Sequence, residues 1–236
     1  MKKPLFLLPL LFIFITLSGF DTLPAKQIIP TPLEIGVALK EALSQGTTKS
    51  VVQLSAVDGF FGNPAIKIVF PPEAQKAEST LRKLGENQLC DNIILSLNRA
   101  AEDAAKQAEP IFIGAIKQMT FNDIMNILLG APDAATQYFK RTTTPSLIAQ
   151  FRPVIQNSLD KVGATKFYSD AARIHNKIPF VHKINPDLAD YVTQKAIDGL
   201  FFQIAIEELN IRQHINARPS PVMQRVFLFA EKNRKF

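Results

Sequence analysis

The chain has 236 residues, enough to bury one substantial core, and its 47% hydrophobic and 20% charged content excludes an intrinsically disordered chain. Its 27 basic and 21 acidic residues give +6, or +4 once Lys2 and Lys3 leave with a leader, too mild a charge to imply a nucleic-acid partner. One cysteine, Cys90, excludes an intramolecular disulfide.

Residues 1–20, MKKPLFLLPLLFIFITLSGF, combine a Lys2-Lys3 start, an apolar run from Leu5 to Leu17 and small residues Ser18 and Gly19. That is the pattern of a secretory signal peptide, and the apolar run is shorter than the roughly 20 residues a membrane-spanning helix needs. The expected location is the periplasm. Leu17-Ser18-Gly19 approaches a bacterial lipoprotein cleavage site, but Phe20 stands where the acylated cysteine would be, so the chain is not lipidated there. Residues 21–32, with Pro24, Pro30 and Pro32, read as a linker, and 33–236 as one helical domain.

Leu33, Val37, Leu39, Ala42 and Leu43 predict a helix face ending at Gly46, and Thr47 or Thr48 is placed to cap a second helix carrying Val51, Val52 and Leu54. Asp58-Gly59-Phe60-Phe61-Gly62-Asn63-Pro64 predicts a tight loop with buried aromatics. Ile66–Phe70 is strand-like but has no partner strand, and is expected to lie extended on the helical core. Pro72 opens a polar helix running to Gly85, and Asn87 begins the next.

In that next helix Leu89, Ile93, Leu97, Ala100, Ala104 and Ala108 form one face, with Cys90 a small core residue beside it. Glu102 falls opposite that face, three residues after Arg99, the spacing of a solvated ion pair worth about 0.2–0.5 kcal/mol. Pro110 marks a bend or a new helix. Thr120 and Asp123 have capping-box spacing, Gly130 stops their helix, Pro132 starts another, and Thr144-Pro145 opens one more, with Pro153 expected to kink or break it.

Lys166–Ile184 interleaves Lys166, Arg173, Lys177 and Lys183 with Phe167, Tyr168 and Phe180, the best candidate surface for an anionic partner. Asn185–His214 is the longest helical pattern, started by an Asn185 cap and Pro186, and apolar round most of its circumference, as a buried helix is. Its polar stripe, Gln203, Glu207, Asn210 and His214, spans about 60° of the wheel and reads as a solvated edge or as a polar seam in a pocket. Glu208 and Arg212 form a separate local pair. Ala217–Pro221 is a rigid turn, and Val222, Val226, Phe227 and Phe229 dock a last helix. The fold class is all-α: a single compact multi-helix domain around a long, largely buried helix in the C-terminal region.

Asp58-Gly59-Phe60, Asn98-Arg99-Ala100-Ala101-Glu102, Met119-Thr120 with Asp123, Ile127-Leu128 with Gly130, Asp133–Thr136 with Tyr138-Phe139, Tyr191-Val192-Thr193, Gly199-Leu200-Phe201, Glu207-Glu208 and Ile211-Arg212 occur in this order. In these motifs the chain, from about Leu33 to Phe227, resembles the bacterial family catalogued as domain of unknown function 4197. The resemblance implies a predominantly helical envelope protein, often made with a lipoprotein-type leader, without assigned activity or catalytic residues.

The sequence contains no GxSxG, HExxH, GxGxxG or P-loop pattern, and with His175, His182 and His214 as its three histidines it has no Glu-x-x-His; neither a metal site nor a cofactor is expected. Two functions follow as expectations. One is a non-catalytic envelope module that binds a protein, a lipid or an apolar small molecule. The other is a hydrolase using carboxylates among Glu102, Asp123, Glu207 and Glu208 as acid and base. The candidate polar site is Glu102, Asp123, Gln203, Glu207 and His214.

Overall fold

The computed structural model describes residues 29–177, 180 and 183–234; the expected signal peptide, most of the linker and His182 lie outside them. The described residues form nine α-helices in order: α1 Pro32–Ser55, α2 Gln75–Lys83, α3 Asn87–Ala105, α4 Ala108–Gln118, α5 Phe121–Leu128, α6 Ala134–Lys161, α7 Ala164–Asn176, α8 Leu188–Gln213 and α9 Pro221–Asn233. Two 3₁₀ turns, Pro72–Ala74 and Ile215–Ala217, precede α2 and α9, and there is no β-strand among the described residues. The all-α expectation holds.

The long helix α8 is the hub, packed on α6, α1 and α3, while α3 and α4 also meet α6 and α1. Phe112 of α4, Phe139 of α6 and Phe201 of α8 form an edge-to-face group, with centroid separations of 5.0 Å for Phe112–Phe139 and 6.3 Å for Phe112–Phe201. Full burial of one such ring stabilises the fold by roughly 1.5–3 kcal/mol. Gly199 lets the Asp58–Pro64 loop reach α8: a Cβ there would lie 2.6 Å from the Phe60 ring, so a side chain would push the buried Phe60 out.

Three boundaries differ from the sequence expectation. α1 does not stop at Gly46. Thr47 and Ser50 return their hydroxyls to the carbonyls of Leu43 and Gly46 at 2.8 Å, and the buried face includes Ile35, Ala38, Leu39, Ala42 and Leu43, leaving Leu33 and Val37 exposed. α6 runs unbroken through Pro145 and Pro153, and Thr142, Thr143 and Thr144 hydrogen-bond the carbonyls four residues back instead of capping a new helix. Pro110 does mark a new helix, lying in the first turn of α4, where its missing amide hydrogen costs nothing. α8 begins at Leu188, because Asp187 accepts from the Asp190 amide at 2.9 Å while Asn185 closes a turn onto the Asp187 amide.

The Ile66–Phe70 run is extended on the core as expected, and a side chain stands in for the missing strand. Buried Asn98 accepts from the Ile68 amide at 2.8 Å and donates to the Ile68 carbonyl at 2.7 Å, satisfying both backbone groups of that residue. Thr120 and Asp123 form the expected capping box. Cys90 is fully buried, and desolvation pushes its thiol pKa up.

Candidate functional site

Glu102 overturns its sequence reading. The buried face of α3 includes Cys90, Ile94, Leu97, Asn98, Ala101 and Ala105, one step round from the expected face and broader, and it carries Glu102 inward to 4% exposure. Its Oε1 accepts from the amides of Phe60 and Phe61 at 3.1 and 3.2 Å, and its Oε2 accepts from Arg99 at 2.6 Å. Arg99 extends the network to Asp58 at 2.7 Å. Asp58 holds a left-handed backbone, φ 66°, at the start of the loop. The cluster locks the loop onto α3; it is a clamp, not a solvated pair.

Glu208 and Arg212 also prove to be more than a local pair. Both are buried, and Arg212 donates to Glu208 Oε1 from Nε at 3.0 Å and from Nη2 at 2.7 Å. Glu208 accepts in addition from the Ala135 and Thr136 amides at 2.9 Å and the Thr136 hydroxyl at 2.8 Å, so it caps the N-terminus of α6 from another helix. Arg212 reaches the Ile127 carbonyl at 2.8 Å, covering the C-terminus of α5. One ion pair thereby ties α5, α6 and α8 together.

Along α8 the polar stripe turns inward against α1. Gln203 is buried and exchanges amide hydrogen bonds with Gln53, at 3.1 and 3.4 Å. Glu207 is buried and accepts from Lys49 at 2.8 Å, while the Lys49 side chain is 55% exposed. Gly46 brings α1 close at this point, since a Cβ there would meet Ile211 at 3.6 Å and Glu207 at 3.7 Å. The Gln203–Glu207 half of the stripe is therefore a seam between two helices, and only its far end is a wet edge. Asn210 is half-buried and His214 exposed, and His214 meets only the Asn210 carbonyl, through Nδ1 at 3.2 Å.

The structure does not gather the candidate polar residues. Glu102 sits on the α3 loop clamp, Gln203 and Glu207 on the α1–α8 seam, Asp123 in its own capping box and His214 at the exposed end of α8. Hydrogen bonds from Thr120, side chain first and backbone second, hold the Asp123 carboxyl below its ordinary pKa. The cavities beside α8 carry at most one carboxylate each, Glu208, Glu73 and Asp198 respectively. Among the described residues no group of three or more His, Cys, Asp or Glu side chains is placed to hold a metal ion.

On the basic segment, Lys166 and Arg173 share Asp170, at 2.9 and 3.6 Å, and both cations stay largely exposed. Lys183 donates to the Asn176 carbonyl, and Lys177 is exposed. The side chains of Phe167 and His175 lie outside the described residues.

Sequence reasoning missed Arg218. It is 2% exposed and donates to the Ile211 and Arg212 carbonyls at 2.8 and 2.7 Å and to Glu231 of α9 at 2.5 Å, so it caps α8 and docks α9. Its place in a turn just ahead of Pro219 and Pro221 gave no warning of burial.

Two further features come from the apolar residues. Phe202, Ile206 and Leu209 are more than 40% exposed and follow one edge of α8, which also carries Lys195, Asp198 and Gln213. Beside its first half runs a groove of about 430 Å³ between α8 and the extended Ile66–Phe70 segment. Separately, a cavity of about 160 Å³ lies among the Phe70–Leu81 segment, α3, α7 and the start of α8, with Tyr168 of α7 and Glu73 in its lining. The Tyr168 hydroxyl donates to Glu73 at 3.4 Å, and burial, reinforced by the Glu73 charge, pushes the phenol pKa well above its usual value.

These features define an all-α helical protein whose buried charges are hydrogen-bonded into the scaffold. The family described as "Protein of unknown function (DUF4197)" matches residues 30–228, and the chain belongs to it. Neither the curated proteins nor the solved structures searched contain a match.

Proposed function

We propose that this protein is exported to the bacterial envelope and acts there by binding a partner protein, not by catalysis. The leader-like residues 1–20 support export, and no described helix is long and apolar enough to cross a membrane. The observation that carries the binding reading is the arrangement of α8, whose polar edge is sealed on α1 while its apolar edge, Phe202, Ile206 and Leu209, meets solvent beside a groove. Exposed apolar edges rimmed by polar groups are what interaction surfaces present. Charges of both signs line the groove, Lys67, Lys195 and Asp198, a mixed set that suits the surface of a protein.

The carboxylate-hydrolase alternative fits less well. Acid–base work by a carboxyl pair needs both groups to face one substrate, and the adjacent Glu207 and Glu208 face different partners, Lys49 of α1 and the N-terminus of α6. Glu102, Glu207 and Glu208 are each held by a different set of donors, and Asp123 caps its own helix.

The test is affinity capture from envelope extract with the folded wild type, with Phe202→Ser/Ile206→Ser and with Glu207→Gln. The reading expects a discrete protein captured by wild type and Glu207→Gln and lost with the double variant. Blank capture with folded protein, or capture indifferent to the α8 edge, overturns it. Co-sedimentation with liposomes that depends on Phe202 and Ile206, without protein capture, would replace the protein partner by a lipid surface.

A further inference from the structure

The cavity between α2, α3 and α7 lies apart from the α8 edge, and it goes beyond the partner surface just described. Its walls are Phe70, Leu81, Ile93, Leu97, Ile184 and Leu188, with Ala164 and Ala172 from α7 taking little of the space. At about 160 Å³ it has the size at which an apolar cavity accepts one benzene-sized molecule. Close packing is the rule in protein interiors, so a void of this size beside two alanines is a departure that larger side chains would remove.

The polar atoms in the lining are few and specific. Tyr168 is buried at 8% exposure, and its hydroxyl makes one long hydrogen bond, 3.4 Å, to Glu73. Glu73 and Lys76 are exposed residues of the same lining and mark the solvent side. The phenol oxygen and the carboxylate offer acceptors to an incoming hydroxyl. A charged end would lose its hydration in a mostly apolar lining, and Glu73 and Lys76, being of opposite sign, offer it no net counter-charge at the rim.

We infer that this cavity is a binding site for a small neutral molecule with an apolar body the size of one six-membered ring and one hydroxyl group, a phenol or an alcohol of that size. The ring occupies the Phe70–Leu97–Leu188 walls. The hydroxyl donates to the Tyr168–Glu73 pair. Filling the void removes the site without touching the polar pair, and removing the phenol oxygen changes which ligand is preferred.

Fluorine NMR of 4-fluorophenol, 4-fluorotoluene and 4-fluorobenzoate titrated with the folded full-length domain reads this directly. 4-Fluorophenol is expected to bind with a dissociation constant on the order of 1 mM or tighter. Benzoate is expected to bind at least tenfold more weakly. Ala172→Leu should abolish binding and raise the melting temperature, with Ala164→Leu as the second filling variant should the first fail to fold. Tyr168→Phe should lower the phenol-to-toluene affinity ratio by about fivefold, the value of one net hydrogen bond. Absence of binding by every probe overturns the site, as does phenol binding unchanged by both filling variants or a ratio unmoved in Tyr168→Phe. Envelope capture is independent of these readouts, so failure here leaves the α8 partner surface standing, and failure of capture leaves this site standing.

Discussion

Replacing Glu208 by alanine tests the scaffold where it is most concentrated. The substitution takes the acceptor from the Ala135 and Thr136 amides and from the Thr136 hydroxyl, and leaves Arg212 buried beside two carbonyls without its counter-charge. Breaking a buried pair from one side costs about 3–5 kcal/mol, and each orphaned buried amide about 1 kcal/mol more at the lower end of its range. The expected loss is on the order of 5 kcal/mol, a large part of the ~5–15 kcal/mol that holds a typical domain together. At about 2–4 °C per kcal/mol for a chain of this size, the melting temperature falls by roughly 10–20 °C. Urea unfolding followed by far-ultraviolet circular dichroism measures it, and Glu208→Ala/Arg212→Met completes the cycle. The double variant should recover at least about 1.5 kcal/mol relative to additivity, because the stranded charge is gone. A loss below about 1 kcal/mol in Glu208→Ala, or strict additivity, would refute the three-helix tie.

Glu102→Ala should cost about 2–4 kcal/mol in the same unfolding assay, because the Phe60 and Phe61 amides lose a buried acceptor, and proteolysis should then cut first in the Asp58–Pro64 loop; an unchanged midpoint would mean that the clamp is ornamental. Thr120→Ala should cost about 1 kcal/mol at neutral pH. The Asp123 carboxyl holds its proton less tightly folded than unfolded, so its contribution is present above the unfolded pKa of about 4 and is lost as pH falls through the lower folded value. The stability gap between wild type and Asp123→Asn should accordingly narrow in acid, and a gap that widens there contradicts the cap. Cys90 should resist a thiol reagent in the folded chain and react fully in denaturant, since burial keeps the thiol protonated and covered; rapid labelling of the native state would show the packing of α3 to be wrong.

Periodicity located the helices well because the information is local: Thr120 with Asp123, the Asn87 start of α3 and the extended Ile66–Phe70 run all appear where the sequence puts them. The two helices that run past their expected ends share one cause. Gly46 and Pro145 are local helix breakers, yet tertiary packing of α1 and α6 on α8 overrides them, with threonine and serine hydroxyls satisfying carbonyls in the affected turns. Glu102, Glu208 and Arg218 were illegible as clamps for a different reason. A helical wheel ranks Glu102 and Glu208 as solvent-facing and does not apply to Arg218 in its turn, and the amides and carbonyls these residues satisfy lie 6 to 73 positions away. The same limit hid the inversion of α8: Gln203 and Glu207 find Gln53 and Lys49 across the chain, which leaves Phe202 and Ile206 for the solvent side.

The central claim, that the apolar edge of α8 is a partner surface in the envelope, is tested most directly by photo-crosslinking in intact cells. p-Benzoylphenylalanine placed at Phe202 should give a discrete adduct with an envelope protein, and the same group at the exposed, off-edge position Arg152 should give none. Equal labelling from both positions, or no adduct from position 202 with the folded protein present in the envelope, would contradict the account.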